Sequence, residues 1–522
     1  MGVPHYLIVG GGLSGLITSY FISLTRPIGS YRLTVLESSN RWGGWIKSIK
    51  HPDTGSIYEA GPHSARVQSP AGHLLLRTVL SLNLEQSILW MNRGTDAANR
   101  YIFINGQLIP LSALTFSAVK PFTRSNFSLF VSRLFSRRPP SQSDWTVDEF
   151  LRTRLDSEFA DYVGSALIRG IFAGDSRKLS ARACLPVLVK SEEYGPNLVL
   201  GLIRSQFKRF SKSSSSSGIV IPSILNEKLP NLNNNHVSSN SIAWSLSGGM
   251  QTLIDTMVDN LNKHYPHIQL YLNSAVESLS LTNDSYEYRW RNVLCNNNNN
   301  DNKKIGRADA VFLCCPSFVT AEILEDLLTS DALKSLKLDH LPWEDVVSTV
   351  LEVEKSSVVS PVRGFGHLVP RTEDEHILGV IYDSVAFPQL DSNDGESLRY
   401  TIMMKPYSDW LEPCQADFSS TEDLHRKIEE TSKSVLTSHL NINDPVIVGR
   451  HVSVLRNCIP QYPVNHLDNI TALRAEIKQT VSRNSSLRKG VYLVGNSYDG
   501  VGLSDTVFSA ANAVAEELTC SA

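Results

Sequence analysis

Four glycines and a serine follow a short apolar run in "YLIVGGGLSGL", residues 6–16. A glycine gives up more backbone entropy on ordering than any other residue, so this density implies something bulky brought close to the main chain. The spacing Gly10-x-Gly12-x-x-Gly15 suits a pyrophosphate: a tight turn, a path without side chains, and a helix whose first N–H groups point at the phosphates. Glu37, 22 residues beyond Gly15, stands where a ribose diol would be held and would repel the extra phosphate of NADP. Alone, the glycine pattern also fits an ordinary turn. The elements around it decide.

Those elements form a βαβ unit. Tyr6–Val9 reads as a buried strand, 14–24 as a helix and Arg32–Leu36 as a second strand. Just after Glu37, "LESSNRWGGWIKS" carries Arg41-x-Gly43-Gly44. Near the far end, "VYLVGNSYDGVGLSDTVFSAANAVAEEL" repeats strand, glycine turn and helix, with Gly495, Gly500 and Gly502. Two such devices and the Arg-x-Gly-Gly segment predict FAD rather than NAD, with a helix from about Ser504 aimed at the pyrimidine edge of the ring. In between, a helix is expected over 71–82 and a hairpin at Asn105-Gly106 within "YIFINGQLI". Trp244 to Lys263 reads as a turn and helix, 268–272 as a strand, and Ala308–Cys315 as a buried strand. Val346–Val353, Ile377–Ile381 and Arg399–Met404 read as strands of a mixed or antiparallel sheet, Thr421–Leu440 as a helix, and Val491–Val494 as a last strand.

The chain has 522 residues, 42% hydrophobic and 19% charged, with net charge −3. That is a globular composition of two or three domains, with no footprint for nucleic acid. The cysteines Cys184, Cys295, Cys314, Cys315, Cys414, Cys458 and Cys520 form no CxxC pair; they predict free, buried thiols and no metal site. No secretory signal, cleavable transit peptide or transmembrane helix is expected. Residues 97–143 hold no acid but six bases, Arg100, Lys120, Arg124, Arg133, Arg137 and Arg138, among Phe116, Phe122, Phe127, Phe130, Leu134 and Phe135. "NLVLGLIRSQFKRFSK" sets Arg204, Lys208, Arg209 and Lys212 around Phe207 and Phe210 in a second acid-free stretch, 194–226. Such segments suit interfacial helices on an anionic membrane, or core helices with a basic outer face. The runs 213–217, 233–235 and 296–300 read as exposed insertions.

"GGGLSGL", "LESSNRWGGWI", "EAGPHSAR", "RGIFAGDSRKLS", "GFGHLVP", "YDSVAFP", "NCIPQYP" and "GNSYDGVGLSD" together resemble the mitochondrial-type protoporphyrinogen oxidases, from residue 10 to 505. "GFGHLVP" and "YDSVAFP" are more discriminating than the glycine fingerprint, which amine oxidases and carotenoid desaturases share. The resemblance implies an α/β fold: a Rossmann-like FAD-binding domain (1–88, 241–320 and 445–522), a mostly helical membrane-binding domain (89–215) and a mixed or antiparallel-sheet substrate domain (321–444). It implies one non-covalent FAD per chain and oxidation of protoporphyrinogen IX to protoporphyrin IX by molecular oxygen, with hydrogen peroxide released. It places the protein on the mitochondrial inner membrane, monotopic and on the intermembrane-space side, with ferrochelatase as a candidate partner and a homodimer as an option. An amine oxidase or desaturase-like oxidoreductase, and a non-catalytic flavin-fold partner, are the alternatives.

Carried over motif by motif, the resemblance assigns cofactor contacts to Gly10, Gly11, Gly12, Leu13, Ser14, Gly15, Glu37, Ser38, Trp45, Gly61, Pro62, His63, Ser64, Val276, Asn496, Val501, Gly502 and Leu503. It assigns substrate contacts to Arg100, the Gly170 carbonyl, Phe365, Leu368, Leu378 and Met403. One departure stands out: many members read Gly-Pro-Arg where this sequence reads Gly61-Pro62-His63, so His63 or Arg66 must meet any role of that guanidinium. The residues agree with the substrate: an apolar macrocycle needs apolar walls, and its propionates need a cation such as Arg100. Hydride transfer to flavin N5 needs no side-chain base, and none is assigned. His367 is read as structural.

Overall fold

The structure, a computed structural model, describes residues 3–114, 118–134, 143–211, 221–232, 237–294, 303–337, 339–392, 395–411, 418–483 and 490–520. A parallel five-stranded sheet runs in the order Ile268–Tyr271, Arg32–Leu36, His5–Val9, Ala310–Leu313, Val491–Leu493. Its strands are apolar on both faces because both are covered. Tyr6, Ile8, Leu33 and Val35 pack under the helices Leu13–Thr25 and Leu503–Cys520. Leu7, Val9, Val311 and Leu313 pack against the helix His466–Ser482 and an antiparallel layer of 274–281, 286–292 and 303–308.

A second sheet of seven strands runs Ile447–Pro460, Trp343–Glu354, Ser397–Met404, Ile377–Ile381, Gly366–Leu368, Arg100–Ile104, Gln107–Pro110. The Asn105-Gly106 hairpin forms its edge, with both residues at positive φ (51° and 72°), the twist that a two-residue hairpin turn requires. Val347, Leu351, Ile402 and Met404 bury one face beneath the helix Phe418–Leu440, through Ile428 and Leu436. The buried carboxylate of Glu352 ties this sheet to the two-stranded hairpin of Ser48–Lys50 and Ile57–Glu59. It accepts hydrogen bonds from Thr54 (2.7 Å), Ser56 (2.8 Å) and Tyr58 (2.6 Å) of the hairpin near Gly61, and from Ser397.

Between the sheets and solvent lie the helices Asn126–Arg133, Val147–Arg154, Ser165–Phe172, Pro186–Ser191 and Leu198–Ser211. Thr146 and Glu149 form a capping box that starts the second, and Phe150, Leu151, Ile168, Phe172 and Leu198 make its core. On Asn126–Arg133, Leu129 is buried and Phe130 half-buried, whereas Phe127 (56%) and Val131 (40%) are exposed one turn apart. Among the described residues no helix is long and apolar enough to cross a membrane. Phe116, Phe135, Arg137, Arg138, Lys212, Cys295, Cys414 and the runs 213–217, 233–235 and 296–300 lie outside the described residues, as do the side chains of Phe207, Lys208, Arg209 and Phe210.

Two sequence expectations are corrected, and one strand was not expected. Trp244 lies not in a turn but in Ser241–Leu246, the central strand of a three-stranded sheet, and the helix begins at Gln251. The expected strand over 308–315 is Ala310–Leu313, preceded by the antiparallel strand Lys303–Ala308. Ile447–Pro460, which the sequence pattern did not mark, pairs along most of Trp343–Glu354.

Candidate functional site

Gly10 N–H donates to Leu36 O (2.9 Å) and closes the first turn at φ +106°, a conformation open to glycine. A methyl group on Gly15 would lie 1.9 Å from Gly10 O, so this glycine lets helix meet strand. Gly12 differs: the nearest atom to a Cβ there is Gly44 Cα at 3.8 Å, so its missing side chain leaves open space. It also caps the helix Leu13–Thr25 with no side-chain hydrogen bond, leaving the first-turn N–H groups to a ligand. Glu37 is fixed beside them. Its carboxylate accepts from Gly11 N–H (2.6 Å) and Ser39 N–H (2.7 Å).

The Arg-x-Gly-Gly segment packs on this turn through Gly43 N–H to Gly11 O (2.9 Å). Arg41 braces the segment by donating to Trp42 O, Gly44 O and Ile46 O, and burial pulls its pKa down. Gly61 lies so near Trp45 O that a methyl would stand 1.9 Å from it. At the far end Gly495 N–H donates to Ser509 (3.1 Å), and Tyr462 donates to Asn496 O. Asp505, in the first turn of Leu503–Cys520, accepts from Gly502 N–H (3.2 Å); burial raises its pKa.

These segments enclose a cavity of about 690 Å³. Of the assigned cofactor residues, Gly10, Gly12, Leu13, Ser14, Glu37, Ser38, Trp45, Gly61, Pro62, Val276, Asn496, Val501 and Leu503 line it; Gly11, Gly15, His63, Ser64 and Gly502 do not. An uncapped helix N-terminus, a glycine facing open space and a fixed carboxylate fit a dinucleotide.

Of the substrate residues, Gly170, Leu378 and Met403 line the same cavity, while Arg100, Phe365 and Leu368 do not. The sheet register relates the two groups. Met403, Gly379, Leu368 and Ile102 form one row across four strands, and Thr401, Ile381, Gly366 and Arg100 form another two residues along. Residues two apart share a face, so Met403, Leu368 and Arg100 lie on one surface. A bulge between Ile377 and Gly379 brings Leu378 onto it too. Gly170 is held over this floor by Arg169, which donates to the carbonyls of Val369 (3.1 Å), Asp374 (2.9 Å), Glu375 (3.2 Å) and Ile377 (2.8 Å). At the far end the Arg100 guanidinium stacks 4.1 Å over Phe365 and donates to Ala97 O (2.7 Å). Burial pulls its pKa down to about 10, and the Arg66 charge adds to this.

His367 sits on the opposite face, its Nδ1 2.8 Å from Tyr382 Oη and its Nε2 2.9 Å from His439 Nδ1. Burial, then the neighbouring His439, holds it neutral, well below its ordinary value. It does not line the cavity.

The family model for flavin-containing amine oxidoreductases matches residues 13–518. Human protoporphyrinogen oxidase is 30% identical over 522 residues, 98% of each chain. The chain belongs to the flavin-containing amine oxidoreductases, in their protoporphyrinogen oxidase group. The protoporphyrinogen oxidase of Schizosaccharomyces pombe is 27% identical over 532 residues, 96% of each chain. A solved Exiguobacterium chain, provisionally named a protoporphyrinogen oxidase, shares the fold with a TM-score of 0.73 at 20% identity, over 99% of this chain and 100% of that one. The cofactor of this oxidoreductase family is a flavin.

Sequence reasoning missed Cys314, Cys315, Cys458, Ile171, Leu455 and Thr506, which also line the cavity. The cysteines carried a signal, since free buried thiols were expected; Cys314 and Cys458 are free and buried and Cys315 is free and half-buried. Burial raises Cys315 to about 11 and Cys458 to about 12, so they serve as neutral apolar walls.

Proposed function

We propose that this protein oxidises protoporphyrinogen IX to protoporphyrin IX in haem biosynthesis, with FAD as its flavin and oxygen as the final acceptor. The reading rests on one surface: an apolar strip of Leu378, Met403 and Leu368 that leads from the dinucleotide cradle to Arg100. A flexible macrocycle with an apolar body and carboxylate arms matches that strip in both chemistry and order.

FAD, when bound, supplies a hydride acceptor. Gly12, Glu37 and the first turn of Leu13–Thr25 would hold its diphosphate and ribose. Leu378, Met403 and Cys458 exclude water from the reacting edge of the macrocycle, and Gly170 lets Leu368 pack closely against the helix Ser165–Phe172 to form the floor. Arg100 pairs with a propionate and fixes which meso carbon faces the cofactor. Balance requires six hydrogens lost per macrocycle, three O₂ consumed and three H₂O₂ released, with the pyrrole protons passing to water. The exposed Phe127 and Val131, on a helix with Arg133 in its last turn, support peripheral contact with an anionic membrane. The resemblance assigns that membrane to the mitochondrial inner membrane.

Anaerobic mixing with protoporphyrinogen IX, followed by oxygen, tests this. Bleaching of the flavin near 450 nm, porphyrin fluorescence and peroxide on oxygen admission are expected. Bleaching by amines and not by the porphyrinogen would replace the reading with amine oxidation.

A further inference from the structure

Arg66 ends the short strand Ala65–Arg66, which pairs with Ser241–Leu246, which pairs in turn with Ile88–Asn92. In that sheet Arg66, Ala243 and Met91 form one row, so their side chains share a face. Arg66 and Met91 are two strand spacings apart, about 10 Å between backbones. The Met91 sulfur, in turn, touches the Arg100 guanidinium, 4.0 Å from Nη2. Two guanidinium groups from strands of two different sheets therefore converge over one small sheet, where the apolar strip of the larger sheet ends.

Neither has an ion-pair partner among the described residues. Arg100 is wedged between Met91 and Phe365, and its hydrogen bonds go to the carbonyls of Ala97 and Asn99. Arg66 is exposed. Two acids of this region are otherwise engaged: Asp96 is 3.6 Å from Arg363, and Asp505, within reach of the Arg66 field, accepts from Gly502 N–H. Two like charges held together, one of them partly desolvated, are costly unless a ligand neutralises both. One carboxylate would neutralise one. A pair on neighbouring arms of one ligand neutralises both and gains orientation from two guanidinium forks.

We infer that Arg66 and Arg100 form a two-point clamp for two neighbouring carboxylates of one tetrapyrrole. The inference rests on the reading that a porphyrinogen lies along the Leu378–Met403–Leu368 strip. It assigns Arg66 a share in selecting diacids over monoesters and diesters.

The test is fluorescence titration of the flavin-loaded full chain with protoporphyrin IX, its monomethyl ester and its dimethyl ester. These ligands need no turnover. The parent protein should bind the diacid most tightly, the monoester less and the diester least. Arg66→Gln should weaken diacid binding roughly tenfold and leave the diester within twofold, the size of one charge-assisted hydrogen bond. Arg66→Lys should recover part of the loss. Equal loss for diacid and diester, or none for either, overturns the clamp. So does an Arg66→Gln protein that binds porphyrins normally but no longer binds vesicles of anionic lipid, since Arg66 would then serve headgroups. A parent protein that prefers the diacid yet fails to oxidise protoporphyrinogen IX keeps the clamp and loses the oxidase reading. One that oxidises it but ignores esterification does the reverse.

Discussion

His63 Nδ1 lies 2.8 Å from Asp383 Oδ1, joining the segment after Gly61 to the sheet that carries Met403. The other Asp383 oxygen accepts from Thr401 (2.6 Å), in the strand of Met403 and two residues before it. Where many relatives place an arginine, this chain therefore has a short imidazole committed to a buried carboxylate. Burial pulls His63 down, but the Asp383 charge and hydrogen bond outweigh it, and the net shift is upward. For Asp383, burial pushes upward, and the His63 charge and hydrogen bond bring the net shift downward.

The sign of the pH dependence follows. A histidine raised above its unfolded value gives stability that is full below about pH 6.5 and lost as pH rises through the folded value. A lowered aspartate gives stability present above about pH 4 and lost as pH falls through its folded value. His63→Gln should therefore destabilise most between those limits, by about 3 kcal/mol, the cost of stranding one partner of a buried pair. Thermal denaturation from pH 5 to 9 should show the deficit shrinking at high pH. A deficit flat with pH would show that the imidazole is neutral throughout.

Glu59 should lose stability with rising pH, as His63 does, but as a buried carboxyl without a cation bonded to it. Its carboxyl is buried, accepts from Met250 N–H (2.7 Å) and Ser48 (2.7 Å), and is pushed up to about 7 by burial. A raised carboxyl binds its proton more tightly when folded, so stability falls as pH climbs from about 4.5 to 7. Glu59→Gln should be near neutral at pH 5 and stabilising by up to about 3 kcal/mol at pH 8. Denaturant titrations at both values would settle the sign.

Gly12 and Gly15 should fail differently. Valine at Gly12 enters open space, so the protein should fold and melt as a cooperative unit but emerge without flavin. Alanine at Gly15 collides with Gly10 O and should reduce soluble yield before any question of cofactor. Equal flavin content in Gly12→Val and parent would remove Gly12 from the diphosphate path.

Gly170→Ala tests the substrate floor. The new methyl would meet Leu368 Cδ2 at 2.5 Å, in the flexible end of a side chain, so the fold should survive while the floor shifts. A rise in KM worth about 1–3 kcal/mol is expected, with flavin content intact. An unchanged KM would place the macrocycle elsewhere.

Phe127→Ser with Val131→Ser tests membrane contact. Both side chains are exposed, and each buried in lipid is worth about 1.5–3 kcal/mol. Flotation with anionic vesicles should drop for the double variant without loss of flavin. Phe130 and Leu134 are half-buried, so replacing them would confound packing with attachment.

The glycine cradle was legible because its constraints are local: Gly10 needs positive φ, Gly15 needs room, and both stand in one short segment. The hairpin at Asn105 was legible for the same reason. Ile447–Pro460 was not, since its half-buried residues follow no strict alternation and the pairing shifts register twice. Leu378 was reached only through the resemblance, because a bulge brings it to the cavity. The His63–Asp383 contact spans 320 residues, and nothing in either neighbourhood announces it. The glycine of "RGIFAGDSRKLS" gains its reason only in three dimensions, from Leu368 packing against it.

The order of strands along the chain also governs when the protein can become itself during synthesis. The parallel sheet takes strands from both ends, His5–Val9 beside Ala310–Leu313 and then Val491–Leu493, and the cavity wall runs from Val9 to Thr506. A nascent chain emerging from the ribosome holds the turn of Gly10 to Gly15 early but does not complete the wall over it until Thr506 has been made. Flavin loading must therefore wait for Thr506, and until it happens the apolar walls of an open cleft must be shielded by other means.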